Sequence, residues 1–97
     1  IKDASEWVRE NADGADVLAH HVGVDYWLDG WKGSEMLASW GGYTPESPQL
    51  KAGTILVWDA QYSVQESFGF VPERIESSGW ELLESYAHGT VRIYRKL

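Results

Sequence analysis

Apolar positions along the chain follow two periods. At the amino end Ile1, Ala4, Trp7, Val8 and Asn11 recur at spacings of three and four, with Lys2, Asp3, Glu6, Arg9 and Glu10 between them. That spacing predicts a helix of about three turns with one apolar stripe, and Asn11-Ala12-Asp13-Gly14 supplies its stop. Asp16 to His21, carrying Val17, Leu18 and Ala19, is the first strand, and Gly23 to Tyr26 either continues it or opens a loop. Ser34 to Trp40 reads as a helix with Met36, Leu37 and Trp40 on one face and Gly33 or Ser34 as its cap. Gly41-Gly42-Tyr43-Thr44-Pro45-Glu46-Ser47-Pro48 is turn-rich and reads as a surface loop.

The period then shortens. Behind the turn Lys51-Ala52-Gly53, the run Thr54-Ile55-Leu56-Val57-Trp58 ends on Asp59. An unbroken apolar run of this length is a strand buried on both faces, the expected centre of a parallel sheet. Pro72-Glu73-Arg74-Ile75-Glu76-Ser77-Ser78-Gly79 has proline at the start, an acid beside it and glycine at the end, which predicts a helix of about two turns. Trp80 to Tyr86 and Thr90 to Lys96 are two further strands, joined by the hairpin link Ala87-His88-Gly89. In the last strand Val91, Ile93 and Arg95 alternate with Arg92, Tyr94 and Lys96, a wetter pattern that places it toward an edge.

This order predicts an α/β fold: a small, mostly parallel four-stranded sheet with a C-terminal antiparallel hairpin and two to three flanking helices. All 97 residues fit a single α/β domain, which buries roughly 60 to 65% of the surface its unfolded chain exposes. Apolar content of 43%, with six Trp and five Tyr, is the composition of a folded unit.

Charge narrows the partners. Fifteen acids against eight bases give a net charge of −7. Phosphate backbones require clustered Lys and Arg, so nucleic acid is not expected as a partner, and an anionic membrane surface is disfavoured on the same ground. The absence of cysteine excludes disulfides, thiolate zinc sites and a thiol nucleophile. No apolar run approaches the ~20 residues of a spanning helix. The chain starts at Ile1, which is read as the start of a fragment of a larger protein.

Loops leaving the carboxyl ends of parallel strands line the crevice where open α/β sheets bind ligands. Asp59, Gln61, Tyr62 and Glu66 are therefore the polar groups best placed for function. Asp59 and Glu66 are the pair an enzyme would use as base or nucleophile and acid; against that, Asp59 caps the end of a strand or a turn and Glu66 is a solvated loop acid. Tyr26, Trp27, Trp31, Trp40 and Tyr43 crowd the long first crossover. Trp27 and Trp31 are candidates for stacking on sugar rings or anchoring an interface, while Trp27, Trp40 and Trp58 equally suit a small core.

His20, His21 and Asp25, joined by Asp59 across the sheet end, carry metal-ligating side chains, but adjacent histidines on a strand point to opposite faces, and no metal or other cofactor is expected. Ser63 and Ser67 have no positioned histidine and no Gly-x-Ser-x-Gly elbow, so nothing supports a serine hydrolase. No catalytic residue is assigned.

Several of these segments together resemble a known type of protein. They are the opening helix ending in Glu10-Asn11, the strand Asp16-Val17-Leu18-Ala19, the strand closing on Val57-Trp58-Asp59 with Tyr62 and Glu66 behind it, and Glu81-Leu82-Leu83 followed by Val91-Arg92-Ile93-Tyr94-Arg95-Lys96. In that order they resemble the soluble tail of bacterial multi-spanning membrane proteins similar to glycosyltransferases of the protein-mannosyltransferase type. The resemblance implies an extracytoplasmic α/β domain attached to a parent in the cell membrane, with the transmembrane portion of that parent as partner and a polyprenyl-phosphate sugar as the parent's donor. It also implies that the catalytic carboxylates belong to the membrane part and that Asp59, Tyr62 and Glu66 form a polar site of the tail.

The expected function is thus a non-catalytic accessory or ligand-binding domain, facing carbohydrate or a polyprenyl-linked sugar. Two alternatives belong to other classes. One is a small carboxylate-dependent glycoside hydrolase, which needs Asp59 and Glu66 roughly 5 to 9.5 Å apart over one pocket. The other is a protein-interaction module built on Trp27, Trp31 and Trp40.

Overall fold

The computed structural model describes residues 2–12, 14–20, 24, 36–37 (backbone only), 43–60, 63 and 69–97. Helix α1 (Lys2–Asn11) is followed by strands β1 (Val17–Ala19), β2 (Met36–Leu37) and β3 (Ile55–Asp59). Helix α2 (Pro72–Ser77), strand β4 (Trp80–Tyr86), a turn at 87–89 and strand β5 (Val91–Lys96) complete the order. The strands form one sheet in the order β2-β1-β3-β5-β4. β1 runs parallel to β2 and to β3, whereas β5 runs antiparallel to both β3 and β4.

The expected fold class is corrected by this topology. The sheet is mixed and five-stranded, its antiparallel ladders are the longer ones, and two α-helices flank it among the described residues. Within the helix expected over Ser34 to Trp40, Met36–Leu37 is instead a strand that pairs with Val17 and Leu18, and the remainder of that span lies outside the described residues.

Strand β3 holds the centre, and all five of its residues are buried. Its alternation splits the apolar side chains between two faces. Ile55 and Val57 join Ala4, Val8 and Ala12 of the α1 side together with Val17, Val91 and Ile93. Leu56 and Trp58 join Leu18, Leu50, Phe70, Ile75, Trp80 and Tyr94 on the α2 side. The result is three layers, α1 over one face of the sheet and α2 with the 43–50 segment over the other.

Local chemistry explains the helices. In α1 the buried stripe is Ala4, Ser5 and Val8, continued by Ala12, while Asn11 is exposed and turns back to donate from Nδ2 to the Trp7 carbonyl at 3.0 Å. Gly14, at φ 85°, then takes the left-handed conformation that lets the chain leave the helix. In α2, Pro72 opens the helix, Glu73 sits in the first turn, Ile75 is buried, and Gly79 at φ 83° follows its end. Glu46 fastens the 43–50 segment to α2 by accepting hydrogen bonds from Arg74 and from Ser78 Oγ. The Arg74 hydrogen bond, and after it the Ser78 one, holds the Glu46 carboxyl below its usual range.

The last strand lies inside the sheet, not at its edge. Arg92 and Lys96, whose charges suggest a wet face, place their charged ends over tryptophan rings: the Arg92 guanidinium is 5.3 Å from the Trp58 centroid and Lys96 Nζ 5.5 Å from that of Trp80. The edge is β4, where Leu82 is 45% exposed and a bulge interrupts the pairing between Leu82 and Glu84. A bulge and flanking acids blunt an edge against further pairing.

Candidate functional site

Because β1 and β3 are parallel neighbours, His20 and Asp59 emerge together at their carboxyl ends. Ser63 returns to that rim and bridges them. His20 Nδ1 lies 2.9 Å from Ser63 Oγ, the Asp59 backbone N–H donates to the same oxygen at 3.1 Å, and Ser63 Oγ donates to Asp59 Oδ1 at 3.2 Å. All three residues are buried, with exposures of 7%, 3% and 0% for His20, Asp59 and Ser63.

A hydroxyl carries one donor and two acceptor sites. Asp59 Oδ1 takes the Ser63 proton and the Asp59 N–H takes one lone pair, which leaves the other lone pair for His20 in its Nδ1–H tautomer. A nucleophilic serine requires the reverse, with Oγ–H donating to an imidazole that removes its proton. The arrangement therefore fastens two strand ends and does not prepare an attack. The His20 ring is further fixed against Phe70, with centroids 5.0 Å apart and planes at 59°. Phe70 is held in turn by a 2.8 Å hydrogen bond from Trp58 Nε1 to its carbonyl.

Beside this cluster, on the α2 face, Arg92 donates from Nε to the Gly89 carbonyl at 2.9 Å and approaches Glu76 at 3.6 Å. Tyr94 Oη donates to Glu76 Oε2 at 3.0 Å. Burial above all pushes the Tyr94 hydroxyl up from its usual value of 10.0, with Glu76 adding to that and Arg92 opposing it.

Of the sequence-predicted site residues, the structure describes Asp59, at the expected rim. It is buried, and its carboxylate accepts from the Ser63 hydroxyl while its backbone N–H donates to the same oxygen. Gln61, Tyr62, Glu66, Trp27 and Trp31 lie outside the described residues, as do His21, Asp25 and Trp40, and with them the distance from Asp59 to Glu66. Trp58 belongs to the core at 4% exposure. Among the described residues, no group of three or more His, Asp or Glu could hold a metal ion, and no helix is long and apolar enough to cross a membrane.

The expectation that Ser63 has no positioned histidine is corrected: His20 is that histidine, forty-three residues away in sequence. The signal was present in two halves, a histidine just past one strand and a serine four residues past the aspartate ending another. Only the parallel adjacency of β1 and β3 joins them.

An open concavity of the described surface lies at the opposite rim. Gly14, Ala15 and Asp16 before β1 and Lys51, Ala52, Gly53 and Thr54 before β3 line about 400 Å³. No protein-family model, no curated protein and no solved structure matches the chain.

Proposed function

We propose that the chain is a non-catalytic accessory or ligand-binding domain, on the extracytoplasmic side, of a cell-membrane protein resembling protein-mannosyltransferase-type glycosyltransferases. Its partners in this reading are the transmembrane portion of that parent and a carbohydrate or polyprenyl-linked sugar. The observation that carries the non-catalytic part is the saturation of Ser63: its one proton and both lone pairs are engaged in a closed site, so the Ser, His and Asp that meet here have no free reactive atom at the hydroxyl. The sugar-facing part rests on the sequence resemblance and on the position of Gln61, Tyr62 and Glu66 just beyond the carboxyl end of β3.

The test is a ¹H–¹⁵N NMR titration of the 97-residue chain with mannose oligosaccharides and with a water-soluble short-chain prenyl-phosphate mannose. Saturable shifts at His20, Ala60 and Thr90, abolished by Glu66→Ala or Tyr62→Ala, are the expected result. A spectrum unmoved by either ligand contradicts sugar binding, and release of free sugar during the titration contradicts the non-catalytic assignment.

A further inference from the structure

The amino-end concavity has chemistry of its own. Asp16 and Lys51 bring opposite charges to it, yet among the described residues neither enters an ion pair. Thr54, only 2% exposed, also lines it, and its hydroxyl has no hydrogen-bond partner. That hydroxyl is not sealed away, since the buried side-chain atom lacking a partner among the described residues is Ser5 Oγ.

The turns on either side are built on Gly14 and Gly53, at φ 85° and 92°, where an added Cβ would meet nothing within 4 Å. The space beside both glycines is therefore open. Their main chain is fixed, because the Asp16 carbonyl accepts from Ile55 N at 2.8 Å and Gly53 N donates to the Lys96 carbonyl at 2.8 Å. The volume falls at the lower end of the roughly 300–1,000 Å³ typical of small-molecule sites.

Charge selects the ligand class. A simple anion must overcome a net charge of −7, and a simple cation finds acids all over the surface, so neither has reason to prefer this place. A molecule bearing both charges does. We propose that the concavity binds a small zwitterion, its ammonium group on the Asp16 carboxylate and its carboxylate or phosphate on the Lys51 ammonium, with the Thr54 hydroxyl donating to the anionic end. Free amino acids, free phosphoethanolamine and the headgroup of an ethanolamine phospholipid share this chemistry. The site lies at the other end of the sheet from the one assigned to sugar and stands independently of that assignment.

The test is a ¹H–¹⁵N titration of the whole chain with O-phosphoethanolamine, with β-alanine, and separately with bicelles containing phosphatidylethanolamine or phosphatidylglycerol. The expected result is saturable shifts at Gly14, Ala15 and Gly53 with a Kd of about 1–10 mM. Affinity falls by about tenfold in each of Asp16→Asn, Lys51→Gln and Thr54→Val. Ethanolamine alone and inorganic phosphate alone shift these amides far less. A response to the free compounds only identifies a soluble zwitterion, and a response confined to phosphatidylethanolamine bicelles identifies the headgroup. Absence of saturable shifts in the wild-type chain with every probe, or wild-type affinity retained in Asp16→Asn and Lys51→Gln, overturns the proposal.

Discussion

Ser63 is where a single side chain decides the most. Replacing it with alanine removes one oxygen and with it three hydrogen bonds, to His20 Nδ1, the Asp59 N–H and Asp59 Oδ1. Each net hydrogen bond is worth about 0.5–1.5 kcal/mol, more where a charged group takes part. We expect Ser63→Ala to lose about 2–4 kcal/mol in urea denaturation; a loss below about 0.5 kcal/mol would mean the three groups are not tied together. Tyr94 supplies a second test at this scale. Burial raises its hydroxyl above the usual 10.0, so above that pH the unfolded chain releases a proton that the folded chain still holds. Its contribution to stability is complete below pH 10 and declines as the pH rises through the folded-state value. Tyr94→Phe should therefore lose stability less steeply than the wild type between neutral pH and the alkaline limit. Tyr86, also raised chiefly by burial, leaves a residual slope in both proteins. Identical slopes for the two proteins would contradict a buried, protonated Tyr94.

Among the elements, β5 separates what the pattern told from what it hid. The unbroken run Ile55 to Trp58 was legible as the central strand because nothing polar interrupts it, and Pro72 and Gly79 punctuated α2 in plain view. The position of β5 was not legible. Arg92 and Lys96 count as polar in any alternation, yet here they make cation–π contacts with Trp58 and Trp80, and the hairpin alone does not say which of its two strands faces β3. The short strand Met36–Leu37 escaped for a related reason, two apolar residues being too few to distinguish periods of two and 3.6.

The observed order fixes which β4 amides are free. Leu97 N donates to the Gly79 carbonyl while Lys96 N donates to Thr54, so odd-numbered residues at this end of β5 face β4 and even-numbered ones face β3. By the register Trp80↔Lys96 and Leu82↔Tyr94, the amides of Trp80 and Leu82 point away from the sheet. Native-state hydrogen exchange should find Tyr94 and Lys96 nearly as slow as Leu56 and Val57, with Trp80 and Leu82 fast. Slow exchange at Leu82 together with fast exchange at Tyr94 would return β5 to the edge.

Across the whole molecule, the sheet separates two faces and also two rims with different chemistry. The rim at the carboxyl ends, chosen from topology alone, holds a sealed knot of His20, Ser63 and Asp59, and the open hollow stands at the amino ends. Of the polar residues that the carboxyl-end rule singled out, Asp59 is described, and it lies buried at that rim. The rule was silent on whether it faces outward, because that depends on the Ser63 hydroxyl and no periodicity encodes it. The account turns on the knot being a fastening rather than a reaction centre. The ¹⁵N spectrum of the His20 imidazole at neutral pH reads this directly. A protonated Nδ1 donating to Ser63, with its proton protected from exchange, is the predicted result. A His20 protonated only at Nε2, with Nδ1 accepting the Ser63 proton, would mean the hydroxyl is primed for attack and would contradict the account.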